Sequence, residues 1–176
     1  MSRTIYGNCE SHLHAQRRNA KASVRYIENR PGRHGAKIRR TLFNADGKVE
    51  RGEAYAMIDQ AANGSYFFRL VISPDPKRED SDKNLALREL TEKTFQSLED
   101  RFQQPLQWVA AIHADHADHR HIHAIAIVPK RLRVQDFKRM RSTATEEALE
   151  QLRHLDLSRE ARDRSQEQSD SLGLSW

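Results

Sequence analysis

Residues 108–129, WVAAIHADHADHRHIHAIAIVP, decide how this chain folds. Two apolar runs rich in Val, Ile and Ala flank a short polar centre, and Pro129 closes the second run. This is the pattern of two strands, Leu106–Ala114 and His121–Val128, joined by a hairpin loop at about Asp115–Arg120. Successive strand side chains point to opposite faces. His121 and His123 therefore share one face, and Ile122, Ala124 and Ala126 take the other. On the first strand His113 stands opposite in sense to Ile112 and Ala114. The hairpin brings His113 beside the His121/His123 pair, so three imidazoles converge.

Five of the nine histidines lie between positions 113 and 123. A lone strand histidine is ordinarily a polar residue on a half-wet sheet. A His-x-His pair with a third histidine across a hairpin is the donor set of a metal site that keeps positions open for water or substrate. A divalent cation is the expected cofactor. Three neutral imidazoles suit Mn, Zn, Ni or Fe by affinity, whereas phosphoryl-transfer chemistry in the cell favours Mg or Mn. Asp115 stands two residues from His113 and can accept that imidazole's second N–H, or simply cap a turn. His116 and His119 lie in the loop, where they can be solvated, replace a ligand or touch a phosphate.

Working outward, residues 15–30 have helical spacing, with Ala20, Val24 and Ile27 on one side and Pro31-Gly32 as the stop. Lys37 to Arg51 reads as two short extended segments around Asp46-Gly47. Residues 53–62 are expected to be helical. Ser65–Ser73 (SYFFRLVIS) is the clearest buried strand. Asp80 or Ser81 is placed to cap a helix over about 83–103, whose stripe is Leu87, Leu90, Thr94, Leu98 and Phe102. A last helix is expected over about 136–157. Residues 159–176 are polar and Ser-rich and read as a flexible C-terminal tail. The resulting fold class is α+β, a central antiparallel sheet flanked by helices. Residues 1–158 form its single domain.

Composition narrows the function. The chain has 176 residues, 37% hydrophobic and 31% charged, and no apolar run near the roughly 20 residues of a membrane span. With no signal-peptide pattern, the expected location is the cytoplasm. Cys9 is the single cysteine, which excludes an intrachain disulfide and a cysteine-based zinc site. The net charge is +5 and the excess is uneven. Residues 1–40 carry ten Lys/Arg against Glu10 and Glu28. Such a block attracts a polyanion, nucleic acid being the commonest, although a solvated basic surface has the same composition.

A metal beside a basic segment suggests phosphodiester chemistry and raises the question of the nucleophile. Tyr26 sits in KASVRYIENRPG between Arg25 and Arg30. Neighbouring cations favour a phenolate and hold phosphates. Taken alone, Tyr26 can equally be a helix residue whose hydroxyl finds any partner.

Three segments together resemble the relaxases, the mobilisation nucleases of plasmids and integrative elements, within the HUH endonucleases. SVRYIENRPG is similar to the segment that presents their catalytic tyrosine. FFRLVISPDP is similar to their strand ending in Ser-Pro. IHADHADHRHIHAIAIVP resembles their metal motif, a His-x-Asp followed by His-x-His on a strand. The resemblance covers roughly residues 15–140. It implies that Tyr26 is the nucleophile, that His113, His121 and His123 are the metal ligands, and that Asp115 supports catalysis by orienting them. It also implies site- and strand-specific nicking and rejoining of single-stranded DNA at an origin of transfer, through a 5′-phosphotyrosine intermediate. Accessory DNA-binding and coupling proteins are the implied partners. Arg25, Arg30, Lys37, Arg39 and Arg40 are the candidates for contacts to the DNA backbone. The segment between Asp115 and His121 is one residue longer than the family's common pattern, which keeps His116 and His119 as alternative ligands. Helicase and primase segments, which continue many relaxases, have no counterpart in these residues.

Other readings remain. A replication initiator or transposase-like nuclease shares the metal motif, but such enzymes usually carry the tyrosine after the histidines. A histidine-triad nucleotide hydrolase needs a third alternate histidine, and position 125 is Ile. A non-catalytic DNA-binding accessory protein would need no open metal position.

Overall fold

The computed structural model describes residues 10–32, 35–114 and 119–173, with side chains described over 14–32, 35–114 and 119–166. Five strands form one antiparallel sheet: β1 (Leu42–Asn44), β2 (Gly47–Val49), β3 (Tyr66–Ile72), β4 (Gln107–His113) and β5 (His121–Val128), in the order β2-β1-β4-β5-β3. Helices α1 (Glu10–Asn29) and α2 (Arg51–Asp59) cover one face. Helices α3 (Leu87–Phe102) and α4 (Val134–Gly173) cover the other. The α+β plan expected from the sequence is the plan observed. No helix among the described residues is long and apolar enough to cross a membrane.

The period-2 pattern sorts β5 between two cores. Ile122, Ala124, Ala126 and Val128 pack with Leu87, Leu90, Phe95 and Leu98 of α3 and with Met140 and Ala148 of α4. Ile125 and Ile127 pack with Ala20, Val24 and Ile27 of α1 and with Ala54 and Ile58 of α2. Both faces of β5 are covered, and all eight of its residues are buried. Each buried Ile or Leu contributes about 1.5–3 kcal/mol. Phe95 stacks on Trp108 at 4.6 Å between ring centroids, which ties α3 to β4.

Three local features depart from expectation. The β1–β2 loop is Ala45-Asp46, one residue earlier than the sequence suggested. Asn44 Oδ1 accepts the amides of Asp46 and Gly47 at 3.0 and 3.1 Å, and this side-chain turn fixes the reversal. Helix α3 begins at Leu87, and neither Asp80 nor Ser81 caps it. Lys83 has a φ of +54°, which breaks any helix there. The Asp80 carboxylate is buried and taken by the Arg120 guanidinium, with Nε–Oδ2 at 2.8 Å. A buried carboxylate needs a cation more than a surface helix needs a cap. Lastly, α4 continues as helix through Gly173, where composition suggested a loose tail. Over residues 159–166 it is solvated on all sides, and Arg159 reaches back to Asp82 at 2.8 Å. Helix-forming Arg, Glu, Gln and Ala in this segment carry it without a core contact.

Candidate metal centre

The end of the β4–β5 hairpin places the histidines. His113 and His121 are directly paired across the ladder, and His123 pairs with Ala111. The shared face puts the three rings together, with centroids 5.4 Å apart for His113–His121, 4.6 Å for His113–His123 and 5.0 Å for His121–His123. One ring nitrogen from each lies within 4.8 Å of the other two. Small side-chain rotations close that spacing to the roughly 3–4 Å between donors on a single ion. His119, exposed, has its ring 5.9 Å from that of His121 and stands outside this group. Asp115 and His116 lie outside the described residues, so the expected role of that carboxylate and the alternative ligand lie there too.

The triad is buried, at 0%, 8% and 9% exposure for His113, His121 and His123. Burial holds all three imidazoles neutral. For His113 burial and the nearby Arg40 lower the pKa from 6.5 to about 4. For His123 burial, then the neighbouring histidines and the cations Arg30 and Arg69, bring it to about 3. His121 is lowered as well, by burial, against a hydrogen bond to the His119 backbone. Neutral imidazole is the ligand form.

His113 is also oriented. Its Nε2–H donates to the Ile27 carbonyl at 2.9 Å, leaving the Nδ1 lone pair. The buried Nδ1 atoms of His113, His121 and His123 find no partner among the described residues. Buried polar atoms are normally satisfied, so three orphaned nitrogens in one cluster fit a metal ion that a hydrogen-bonding network does not replace.

The last turn of α1 supplies the partner that sequence reasoning missed. The final carbonyls of a helix lack intrahelical donors. Here Ile27 O receives His113, Glu28 O receives the Arg40 amide at 2.8 Å, and Arg30 O receives the Arg40 side chain at 2.7 Å. Pro31, which lacks an N–H, and Gly32 end the helix where those carbonyls are left free. The same turn carries Tyr26, 43% exposed, whose ring stands edge-on to His123 at 6.5 Å. The helix end thus ties the tyrosine to the triad through one adjacent peptide.

The expected cations divide. Arg30 reaches the site, with its guanidinium carbon 5.8 Å from the Tyr26 ring and Nη1 3.5 Å from His123 Nε2. Arg25 and Lys37 are exposed. Arg39 is exposed but pairs with Glu28 at 2.8 Å and Glu50 at 3.5 Å. Arg40 is buried and fastens backbone. Arg69 of β3 joins the site unannounced, its guanidinium carbon 5.8 Å from the Tyr26 ring. A charge inside the apolar run SYFFRLVIS, at a position that alternates with Phe68 and Leu70, was the available signal.

Comparison of the chain with protein-family models, with curated proteins and with solved structures returned no match.

Proposed function

We propose that this protein is a metal-dependent nuclease that nicks single-stranded DNA and rejoins it, with Tyr26 as the nucleophile. One observation carries the reading. An exposed tyrosine stands against a buried, neutral triad of imidazoles and beside two guanidinium groups. That set supplies a nucleophile, a seat for a divalent ion and cations for a phosphate, the parts a phosphodiester transesterification needs. His113, His121 and His123 would hold the ion, Mg or Mn in the cell. When bound, it supplies positive charge at the nonbridging oxygens of the scissile phosphate.

The chain's own residues do the rest. Tyr26 gives up its hydroxyl proton and its oxygen bonds to phosphorus. The bond from phosphorus to the 3′ oxygen breaks, and that oxygen takes up a proton. The products are a 5′-phosphotyrosine ester and a free 3′-hydroxyl, and attack by that hydroxyl reverses the step and reseals the strand. Arg30 draws the phosphate toward the tyrosine. The resemblance to relaxases noted above supports an origin of transfer as the natural substrate, with accessory and coupling proteins as partners.

The test is a covalent-adduct assay with a labelled oligonucleotide from the element's own origin region and Mn or Mg. Wild type is expected to form a labelled protein band that Tyr26→Phe and EDTA each abolish. An adduct that survives Tyr26→Phe removes Tyr26 from the mechanism, and cleavage indifferent to EDTA removes the metal.

A further inference from the structure

We propose that Arg69 of β3 and Arg30 form a two-guanidinium seat for a backbone phosphate of single-stranded DNA beside the Tyr26 ring. The DNA as ligand rests on the functional reading above, and the seat itself rests on geometry. Arg69 pairs in register with Ile125, and Val71 pairs with His123, so Arg69 shares the sheet face that carries the triad. Arg30 comes from a different element, just past the end of α1. Both guanidinium carbons stand 5.8 Å from the Tyr26 ring.

What sets these two apart is that both lie against the Tyr26 ring and neither is neutralised there. Arg39 and Arg51 pair with Glu28, Arg101 with Asp136, Arg120 with Asp80 and Arg159 with Asp82. Among the described residues no carboxylate pairs with Arg30 or Arg69. Two unneutralised cations around one ring leave a local excess of positive charge that an anion relieves. The guanidinium fork matches phosphate oxygens in a way a lysine does not. Access is open as well. Arg69 is exposed, Val71 beside it is 51% exposed, and β3 is an edge strand with no strand on its outer side among the described residues. An arginine kept only to guard a sheet edge would sit in the same strand, but it would not be needed for binding.

The measurement is fluorescence anisotropy of a labelled oligothymidylate in metal-free buffer across a range of KCl. The slope of log K against log salt counts phosphates neutralised, at about 0.7 per contact for a single strand. Arg69→Gln is expected to flatten the wild-type slope by about 0.7. Arg69→Lys, which keeps the charge, and Arg153→Gln on α4 are expected to keep it. An Arg69→Gln slope equal to that of Arg153→Gln overturns the seat and leaves the nuclease reading standing. A wild-type protein without salt-dependent binding overturns both.

Discussion

Glu28 and His123 are both nearly hidden from solvent, at 2% and 9% exposure, yet the chain treats them in opposite ways. The Glu28 carboxylate is saturated from within. Arg39 Nε donates to Oε1 at 2.8 Å, Asn29 Nδ2 to Oε2 at 3.0 Å, and Arg51 Nε adds a short contact to Oε2. Among the described residues His113, His121 and His123 keep orphaned nitrogens. A polar group whose partners come from its own chain stabilises the fold. A cluster that lacks them costs stability, on the order of 1–3 kcal/mol for each unsatisfied group, unless something outside the chain completes it. Both networks meet the last turn of α1, through Glu28 itself and through the Ile27 carbonyl. The contrast separates what holds the tyrosine in place from what waits for a ligand.

The contrast breaks most directly at the triad. His121→Ala and His123→Ala are expected to weaken Mn or Zn binding by at least about 100-fold, since even removal of an outer partner costs 10–100-fold. Titration calorimetry reads this, and affinity within a few-fold of wild type would remove that histidine from the ligand set. In the wild type, metal at 100 times its Kd is expected to stabilise the fold by about 2.7 kcal/mol. For a chain of this size that raises Tm by roughly 5–10 °C. The metal-free comparison sharpens the point. Ile125, next on the same face of β5, is expected to cost about 2–5 kcal/mol as Ile125→Ala. His121→Val in metal-free protein is expected to cost clearly less than Ile125→Ala, because the orphaned nitrogen it removes offsets the lost bond to the His119 backbone. Urea unfolding with and without metal checks both, and equal losses for the two variants would mean that the imidazoles are already satisfied.

The parts of this molecule legible in the sequence are those set by periodicity. Alternation along His121–Val128 places the histidines on one face, and the same alternation puts Ile122 and Ala124 in the other core. Helical spacing found Ala20, Val24 and Ile27. Partners fixed by tertiary packing were not legible. The use of Asp80 depends on where the hairpin brings Arg120, just before β5, and the Ile27 carbonyl becomes an acceptor only because β4 passes the end of α1. Arg39 and Arg40 illustrate the same limit from the side of charge. In sequence they belong to a basic block open to DNA, whereas in the fold one pairs with Glu28 and the other fastens the backbone of residues 28 and 30. Arg69 escaped because it stands outside that block, and only the sheet order brings β3 beside the triad.

The remaining expected effect lies on the saturated side of the comparison and depends on pH. Burial would raise the pKa of Glu28, but the hydrogen bonds from Arg51 and Arg39 outweigh it and hold the carboxyl below its ordinary 4.5. A carboxyl lowered on folding contributes stability that is fully present above the unfolded value. That contribution is lost as pH falls through the folded one. Glu28→Gln keeps the shape and removes the charge, so it is expected to cost about 1–3 kcal/mol at pH 7. The gap to wild type should stay constant from pH 7 to about 5 and then narrow as the wild-type carboxyl takes up its proton. The metal-free histidines act in a different window. Their folded values, about 4 for His113 and about 3 for His123, lie below 6.5. Both proteins should therefore lose stability together as pH falls from 6.5 toward 4. Urea unfolding of the two proteins at a series of pH values separates the windows. A gap that is unchanged down to pH 3 would show that the charge on Glu28 is not what holds the end of α1, and with it Tyr26, against the triad.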